Sequence, residues 1–433
     1  MPLLLAYVTM LFATVLKRVL WVLRYPSFSS DLVGPHAVGA IQTRIPGSVA
    51  CQIHYPAAAD AKRDAASSLP YFRPKAVEGI GDYSRTDPSI LEFLSNRDHP
   101  CVIGADPLLN GEDGDDGFPI VVFSHGLGGC MEMYTELCRQ IASQGFWVVA
   151  LEHEDGSGAY AETRDGQPIL YKRPDDTPYS RQKVTNFRRS FLKQRVEETT
   201  SALSYILSSS SSSKDESLDG QQLRKVMRAA DKSRGVSLLG HSFGGASMIM
   251  TSREHLPNGA ADDDDLPSTP SIQLSSLCVL DPWAFSLEDQ VLKEGVPNLP
   301  TLSILSEGWL SNPETAQVRA LLEKSGERVT SLYAPNSVHA SFADSVGWLP
   351  GFVLRKMYMR GQKEKKHETA RNVAVAYARH MRGAMHNGVS DTPSNADDHF
   401  SPLRPYPVAQ VSSVGSSNPV LEEKPHEEPI DAY

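Results

Sequence analysis

Short apolar runs recur along this chain, each bounded by glycine, proline or polar residues, and between them lie longer segments with one apolar face. Pro119-Ile-Val-Val-Phe123, Phe146-Trp-Val-Val-Ala-Leu151, Val236-Ser-Leu-Leu239, Leu277-Cys-Val-Leu280, Thr301-Leu-Ser-Ile-Leu305 and Val329 to Tyr333 belong to the first kind. Such runs predict strands buried on both faces, as in a parallel sheet. Val38 to Thr43 and Val49 to Tyr55 flank Pro46-Gly47 and predict an antiparallel pair at a sheet edge. Ser180 to Leu207 sets Val184, Phe187, Phe191, Val196, Leu203 and Ile206 mainly on one helical face, and shorter helices are predicted near Met131 to Ser143 and Lys365 to Met381. Strands alternating with helices predict an α/β fold, a mostly parallel sheet with helices on both faces. The far side of the long helix carries Arg181, Lys183, Arg188, Arg189, Lys193 and Arg195 and is expected to be a solvated face rather than a phosphate site.

The text between these elements marks boundaries. Ala57 to Gly117 is irregular and ends in Gly111-Glu-Asp-Gly-Asp-Asp-Gly117, a solvated loop rather than a calcium site, because it lacks the ligand register and terminal Glu of an EF-hand. Residues 208–220 and 258–271 are expected to be mobile surface inserts. Beyond Gly388 there are too few apolar residues to offset chain entropy, and residues 387–433 are expected to form a disordered acidic tail. The catalytic domain is therefore expected over residues 31–386, preceded by an apolar segment at 1–30.

That segment changes the picture most. Leu3 to Leu16 is uncharged, Lys17-Arg18 interrupts, and Val19 to Leu23 resumes. With no basic stretch ahead and no small-residue cleavage site behind, a cleaved signal peptide fits poorly. An anchor on a membrane surface through residues 1–25, a spanning signal anchor and a helix packed on the domain all remain open. If it spans, the bases on its carboxyl side place the body in the cytosol. A secretory route is further disfavoured by the lack of any N-x-[ST] sequon and by five scattered cysteines, whose spacing suits neither a disulfide framework nor zinc. The net charge of −10 lies mostly in the tail, where acids outnumber bases eight to two, so the body offers no basic excess for nucleic acid.

The candidate chemistry starts at Gly240-His241-Ser242-Phe243-Gly244. This G-x-S-x-G follows a strand and opens a helix, the setting of a nucleophile elbow; the alternative is a plain glycine-rich turn. A second glycine-rich loop, Ser124-His125-Gly126-Leu127-Gly128-Gly129, follows an inner strand where an α/β-hydrolase places a backbone oxyanion donor; taken in isolation it reads first as a tight strand-to-helix turn. A serine nucleophile needs a histidine to accept its proton and an acid to orient that histidine, in the chain order Ser, acid, His. His339 lies downstream, after the last strand; His255, His367 and His380 are expected on the surface. For the acid, Asp281 ends the first strand after the elbow and Glu307 the second, and general architecture leans to the later strand.

Five motifs in order, Phe123-Ser-His-Gly-Leu-Gly128, Glu152-His153, Gly240-His-Ser-Phe-Gly-Gly245, Leu280-Asp-Pro-Trp283 and Ser337-Val-His-Ala-Ser-Phe-Ala-Asp344, resemble the platelet-activating factor acetylhydrolase family of the plasma and intracellular type-two kind. The resemblance covers about Val38 to Arg382. It implies an α/β-hydrolase fold and a calcium-independent serine esterase that removes short or truncated sn-2 acyl groups from phospholipids. It puts the acid on the strand directly after the elbow, which favours Asp281, and implies a triad of Ser242, Asp281 and His339 with the N–H groups of Leu127 and Phe243 as oxyanion donors. No cofactor or metal is expected; the partners are a phospholipid or small ester and a membrane surface. Pro282 after Asp281, the Glu152-His-Glu-Asp155 stretch and the inserts depart from animal members and leave the substrate pocket open; Trp283, Phe285, Trp309 and Phe342 are expected either to line it or to pack as ordinary core. Trp348 to Leu354 is expected to pack in the core, with membrane docking as the alternative. A general carboxylesterase for small esters and a non-catalytic hydrolase-fold scaffold are the competing readings.

Overall fold

The computed structural model describes residues 2–58, 61, 68–109, 117–174, 180–208, 218–256, 272–296, 298–312, 314–324, 328–350, 367–385 and 403–405. In chain order the strands are β1 (Ala37–Arg44), β2 (Ala50–Ala57), β3 (Val102–Ile103), β4 (Phe118–Ser124), β5 (Trp147–Leu151), β6 (Tyr160–Glu162), β7 (Pro168–Leu170), β8 (Ala230–His241), β9 (Leu274–Leu280), β10 (Thr301–Ser306), β11 (Val329–Ala334) and β12 (Arg404–Pro405). Ten of them form one sheet, ordered β12-β11-β10-β9-β8-β4-β5-β2-β1-β3, while β6 and β7 pair separately. The run from β11 to β5 is parallel throughout. β2 then joins β5 antiparallel and β1 joins β2 antiparallel, as the sequence predicts for the edge.

The apolar strand runs are explained by their burial. Along β4, Ile120 and Val122 enter one core while Val121 and Phe123 enter the other, all of them fully buried, because alternate side chains point to opposite faces. On the first face lie α5 (Arg181–Leu207) and α7 (Phe243–His255), which contribute Leu203, Ile206 and Ile249 to one core. On the second lie α4 (Thr135–Ser143) and α10 (Glu368–Met385), with Leu137, Ile141, Val373 and Tyr377. Each fully buried aliphatic side chain of this kind is worth roughly 1.5–3 kcal/mol in transfer free energy. This is the α/β-hydrolase architecture, helices on both faces of a mostly parallel sheet.

The sheet order also places the site. From central β4 the chain moves to β5 on one side and later returns to β8 on the other, where Ser124 pairs in register with Gly240. The strand ends of β4 and β8 thus meet where the topology reverses, the crevice in which open α/β sheets bind their ligands.

Four expectations need correction. The stretch from Ala57 to Gly117 is not wholly irregular: it holds α2 (Pro74–Ser84), α3 (Pro88–Leu91) and β3. Gly79 and Gly81 interrupt the apolar period of α2; a Cβ at Gly79 would lie 2.6 Å from the Ala159 carbonyl oxygen and one at Gly81 2.7 Å from Pro88 Cγ. The basic side of α5 is not uniformly solvated, since Arg188 and Arg195 are buried. His367 is buried rather than exposed, its Nε2 2.6 Å from the Ser27 carbonyl oxygen and its ring stacked on Phe28. The insert at 258–271 and residues 209–217 of that at 208–220 fall outside the described residues, as do 110–116 of the acidic loop, while 218–220 open a helix, Leu218–Met227, rather than a loop. Within the tail, Arg404–Pro405 pair antiparallel with β11. Trp348 packs on Phe72 and donates from Nε1 to Tyr71 Oη, a core role; residues 351–354 lie outside the described set.

The amino-terminal segment forms α1 (Pro2–Val22), long and apolar enough to cross a membrane. Ala13 and Leu20 are buried, and Lys17 forms an ion pair with Glu92 on the body. Leu5, Leu11, Phe12, Trp21 and Val22 are more than half exposed.

Candidate active site

Ser242 sits between β8 and α7 with φ 56° and ψ −120°, a conformation that costs a non-glycine residue on the order of 1–3 kcal/mol. Two flanking glycines permit it. A Cβ on Gly244 would fall 2.0 Å from the Ser124 carbonyl oxygen, and one on Gly240 would fall 2.3 Å from that of Gly244. The bend is tied to the end of β9: Ser242 N–H donates to the Leu280 carbonyl at 2.9 Å, and Trp283 N–H donates to the Ser242 carbonyl at 3.0 Å. The loop carrying Asp281 is thereby fixed against the elbow.

Asp281 is fully buried at the end of β9, with φ 40°. Its Oδ1 accepts the Ser306 backbone N–H at 2.7 Å, and its Oδ2 accepts the Ser306 hydroxyl at 2.6 Å and His339 Nδ1 at 3.1 Å. A carboxylate accepts, so the ring nitrogen facing it is the donor of this bond and Nε2 points away from Asp281. The His339 ring stacks on Trp309 (centroids 4.3 Å apart, 18°) and tilts against His241 (4.5 Å), keeping about a fifth of its side chain exposed. Glu307, the alternative acid, points elsewhere. Its carboxylate accepts the backbone N–H of Asn336 and so braces the turn ahead of His339, while the same loop sends Trp309 onto the imidazole.

Of the aromatics expected near a substrate pocket, Trp309 and Phe342 are buried in the core and Trp283 packs against it. Phe342 packs against His241 and Trp283 against Phe243. His241 is buried, and its Nδ1 lies 2.8 Å from Tyr134 Oη, which in turn accepts the Gly126 N–H. Burial, then the charge of His339, holds its pKa well below the ordinary range, so it stays neutral. Among the described residues His241, Asp281 and His339 bring ligand-type atoms within 4.8 Å of one another. Three hydrogen bonds already engage the Asp281 carboxylate, which suits a proton relay better than a cation.

The Gly126-Leu127 loop stands beside the serine: a Cβ on Gly126 would lie 3.1 Å from Ser242 Cβ. Gly126 C=O accepts from His125 Nδ1 at 2.8 Å and from Gly129 N–H at 3.1 Å. In a trans peptide the C=O and the following N–H point opposite ways, so these bonds turn the Leu127 N–H away from them. Phe243 is the first residue of α7, and its N–H has no acceptor within the helix.

Sequence reasoning missed the layer beneath. Ser124 Oγ contacts His153 Nε2 at 2.8 Å, and His153 Nδ1 contacts Glu198 Oε2 at 2.7 Å. Arg195, from the middle of α5, is fully buried and paired with Asp155 at 3.0 Å. The only sequence signals were the Glu152-His-Glu-Asp155 run and the position of Arg195 close to the apolar stripe of its helix. Burial, followed by the charge of Asp155, pushes the Glu198 carboxyl up from 4.5 to about 8. Between those two pH values the folded chain holds a proton that the unfolded chain has lost, so this group's contribution to stability falls as pH rises through the window and is restored below it. Glu198→Gln, which imitates the neutral form, is expected to flatten that fall. Urea midpoints measured at the two ends of the window check it, and equal slopes for both proteins would refute it.

The family model for platelet-activating factor acetylhydrolase, isoform II, matches residues 28–389. Platelet-activating factor acetylhydrolase of Cavia porcellus is 31% identical over 252 residues, 55% of this chain and 50% of that protein. The Gallus gallus protein of the same name is 26% identical over 269 residues, 56% of each chain. A putative phospholipase A2 of Schizosaccharomyces pombe is 43% identical over 61 residues, 14% of this chain and 13% of that one. The chain thus spans about half the length of the acetylhydrolases it matches. A ferulic acid esterase from Streptomyces cinnamoneus shares the fold with a TM-score of 0.56 at 18% identity, over 87% of this chain and 97% of the esterase.

Proposed function

Because this chain belongs to the platelet-activating factor acetylhydrolase isoform II family, we propose that it is a serine carboxylic ester hydrolase that cleaves short or truncated sn-2 acyl groups from phospholipids. The observation that carries the reading is the His339–Asp281 pair beside a strained serine at the topological switch point. Ser242 Oγ attacks the ester carbonyl as His339 Nε2 takes its proton, and the buried Asp281 stabilises the imidazolium. The N–H groups of Leu127 and Phe243 receive the oxyanion, each donor typically worth about 3 kcal/mol. The tetrahedral adduct expels the alcohol, which leaves with the proton held on His339. Water, deprotonated by the same imidazole, then attacks the acyl-enzyme and frees the acid and Ser242.

The body meets its substrate at a lipid surface through α1. With Leu20 buried and Lys17 paired to Glu92, one side of this helix is docked on the domain while Leu11, Phe12 and Trp21 face outward, the disposition of a helix lying in the interface rather than crossing it. One vesicle assay tests both points. With Ser242→Ala as the blank, the full chain is expected to hydrolyse a 2-acetylated or oxidatively truncated phosphatidylcholine carried in phosphatidylcholine vesicles. Phe12→Glu with Trp21→Glu is expected to reduce co-sedimentation with those vesicles and leave hydrolysis of soluble 4-nitrophenyl acetate unchanged. Turnover of soluble esters without any turnover of the vesicle lipid would instead make this a general carboxylesterase, and unchanged sedimentation of the double variant would remove α1 from lipid docking.

A further inference from the structure

The two proposed oxyanion donors come from separate parts of the chain, Leu127 from the loop after β4 and Phe243 from the start of α7. A hole built from two independent backbone segments stabilises charge only if both are held to within a fraction of an ångström. One side chain reaches both. Arg195 Nη1 donates to the His125 carbonyl at 2.6 Å and to Ser124 Oγ at 3.2 Å. His125 in turn holds the Gly126 carbonyl, and with it the direction of the Leu127 N–H. Arg195 Nη2 donates to Ser157 Oγ at 2.6 Å, and the Ser157 carbonyl accepts the Gly128 N–H at 2.8 Å, so the loop is gripped on both sides of Leu127. The same guanidinium lies over the Phe243 ring, 4.7 Å from its centroid.

A guanidinium suits this task because its planar fork of donors spans several acceptors while its face stacks on an aromatic ring. Its charge is balanced by Asp155, which also accepts from Ser157. Burying such a pair is costly, and a hydrophobic replacement of a buried ion pair is often neutral or stabilising, so the pair is weak evidence for a role in stability alone.

We propose that Arg195 is the positioning residue of the oxyanion site, setting the Leu127 donor through His125 and the Phe243 donor through its ring. The proposal rests on the esterase reading above.

The test uses the full chain, with Arg195→Met combined with Asp155→Asn so that no charge is left unpaired, Arg195→Lys as a milder variant, and Lys193→Met on the exposed side of the same helix as a control. For 4-nitrophenyl acetate, kcat of the double variant is expected to fall on the order of 10²-fold, the scale of a small misplacement of catalytic groups, with KM little changed. The inhibition constant of a trifluoromethyl ketone, whose serine adduct carries an oxyanion, is expected to rise by the same factor. Arg195→Lys should give a smaller loss along the same line and Lys193→Met none. A role confined to packing would lower the melting temperature without this paired change in kcat and ketone affinity. Folded variants that keep wild-type kcat, or that lose activity through KM with ketone affinity intact, would overturn the proposal. If the double variant does not fold, Arg195→Lys carries the same comparison. A fluorophosphonate that fails to label the wild type would sink the esterase reading instead, so the two failures are distinguishable.

Discussion

Ser242→Ala is expected to lower kcat for ester hydrolysis by on the order of 10⁶-fold, the loss seen when the nucleophile of a working triad is removed. The fold should survive, because alanine keeps the Cβ already accommodated at φ 56° and only the hydroxyl is deleted. The backbone bonds from Ser242 N–H to Leu280 and from Trp283 N–H to Ser242 do not involve that hydroxyl. The check is labelling by a fluorophosphonate alongside steady-state rates: wild type should react and the variant should not. A variant that retained turnover would require another nucleophile. Labelling of neither protein would favour the non-catalytic scaffold.

Asp281→Asn is expected to cost about 10⁴-fold in kcat, and Glu307→Gln far less. Both oxygens of Asp281 are committed, one to the Ser306 N–H and the other to the Ser306 hydroxyl and His339 Nδ1. An amide would either present a donor to the imidazole or turn away an acceptor that Ser306 needs, and in the first case His339 takes the wrong tautomer. Glu307 touches the triad only indirectly, through the Asn336 backbone and the loop that carries Trp309. A glutamine keeps an acceptor for that N–H, so its effect should be confined to a modest loss. If the two variants exchanged ranks, the acid would have to be reassigned to the later strand.

Most of the frame was legible beforehand because its signals are local. Strands buried on both faces need continuous apolar runs, and a serine forced into a left-handed turn between strand and helix needs glycine on either side, here Gly240 and Gly244. Each shows as a short word in the chain. α2 escaped because close approach to Ala159 and Pro88 demands Gly79 and Gly81, which erase the period that marks a helix. Arg195 escaped for a related reason: its partners, His125, Ser157 and Asp155, lie on other elements, so a buried guanidinium spells the same word as a solvated one.

The sequence by itself determined the parallel sheet, the elbow at Ser242, the glycine-rich loop at Leu127 and the histidine at 339, since each follows from spacing or from chain order. Pattern alone left the acid for that histidine open and only the family resemblance favoured Asp281; the tertiary structure pairs Asp281 with His339. Two strand ends, Asp281 and Glu307, competed, and general architecture leaned to the later one. The order β8-β9-β10 puts Asp281 directly beside the elbow, and the Ser306 and Ser337 loops then turn one carboxylate inward to His339 and the other outward to Asn336. Pairing of groups tens of residues apart depends on how strands stack and loops lean, and those are consequences of the whole packed chain rather than of any stretch within it.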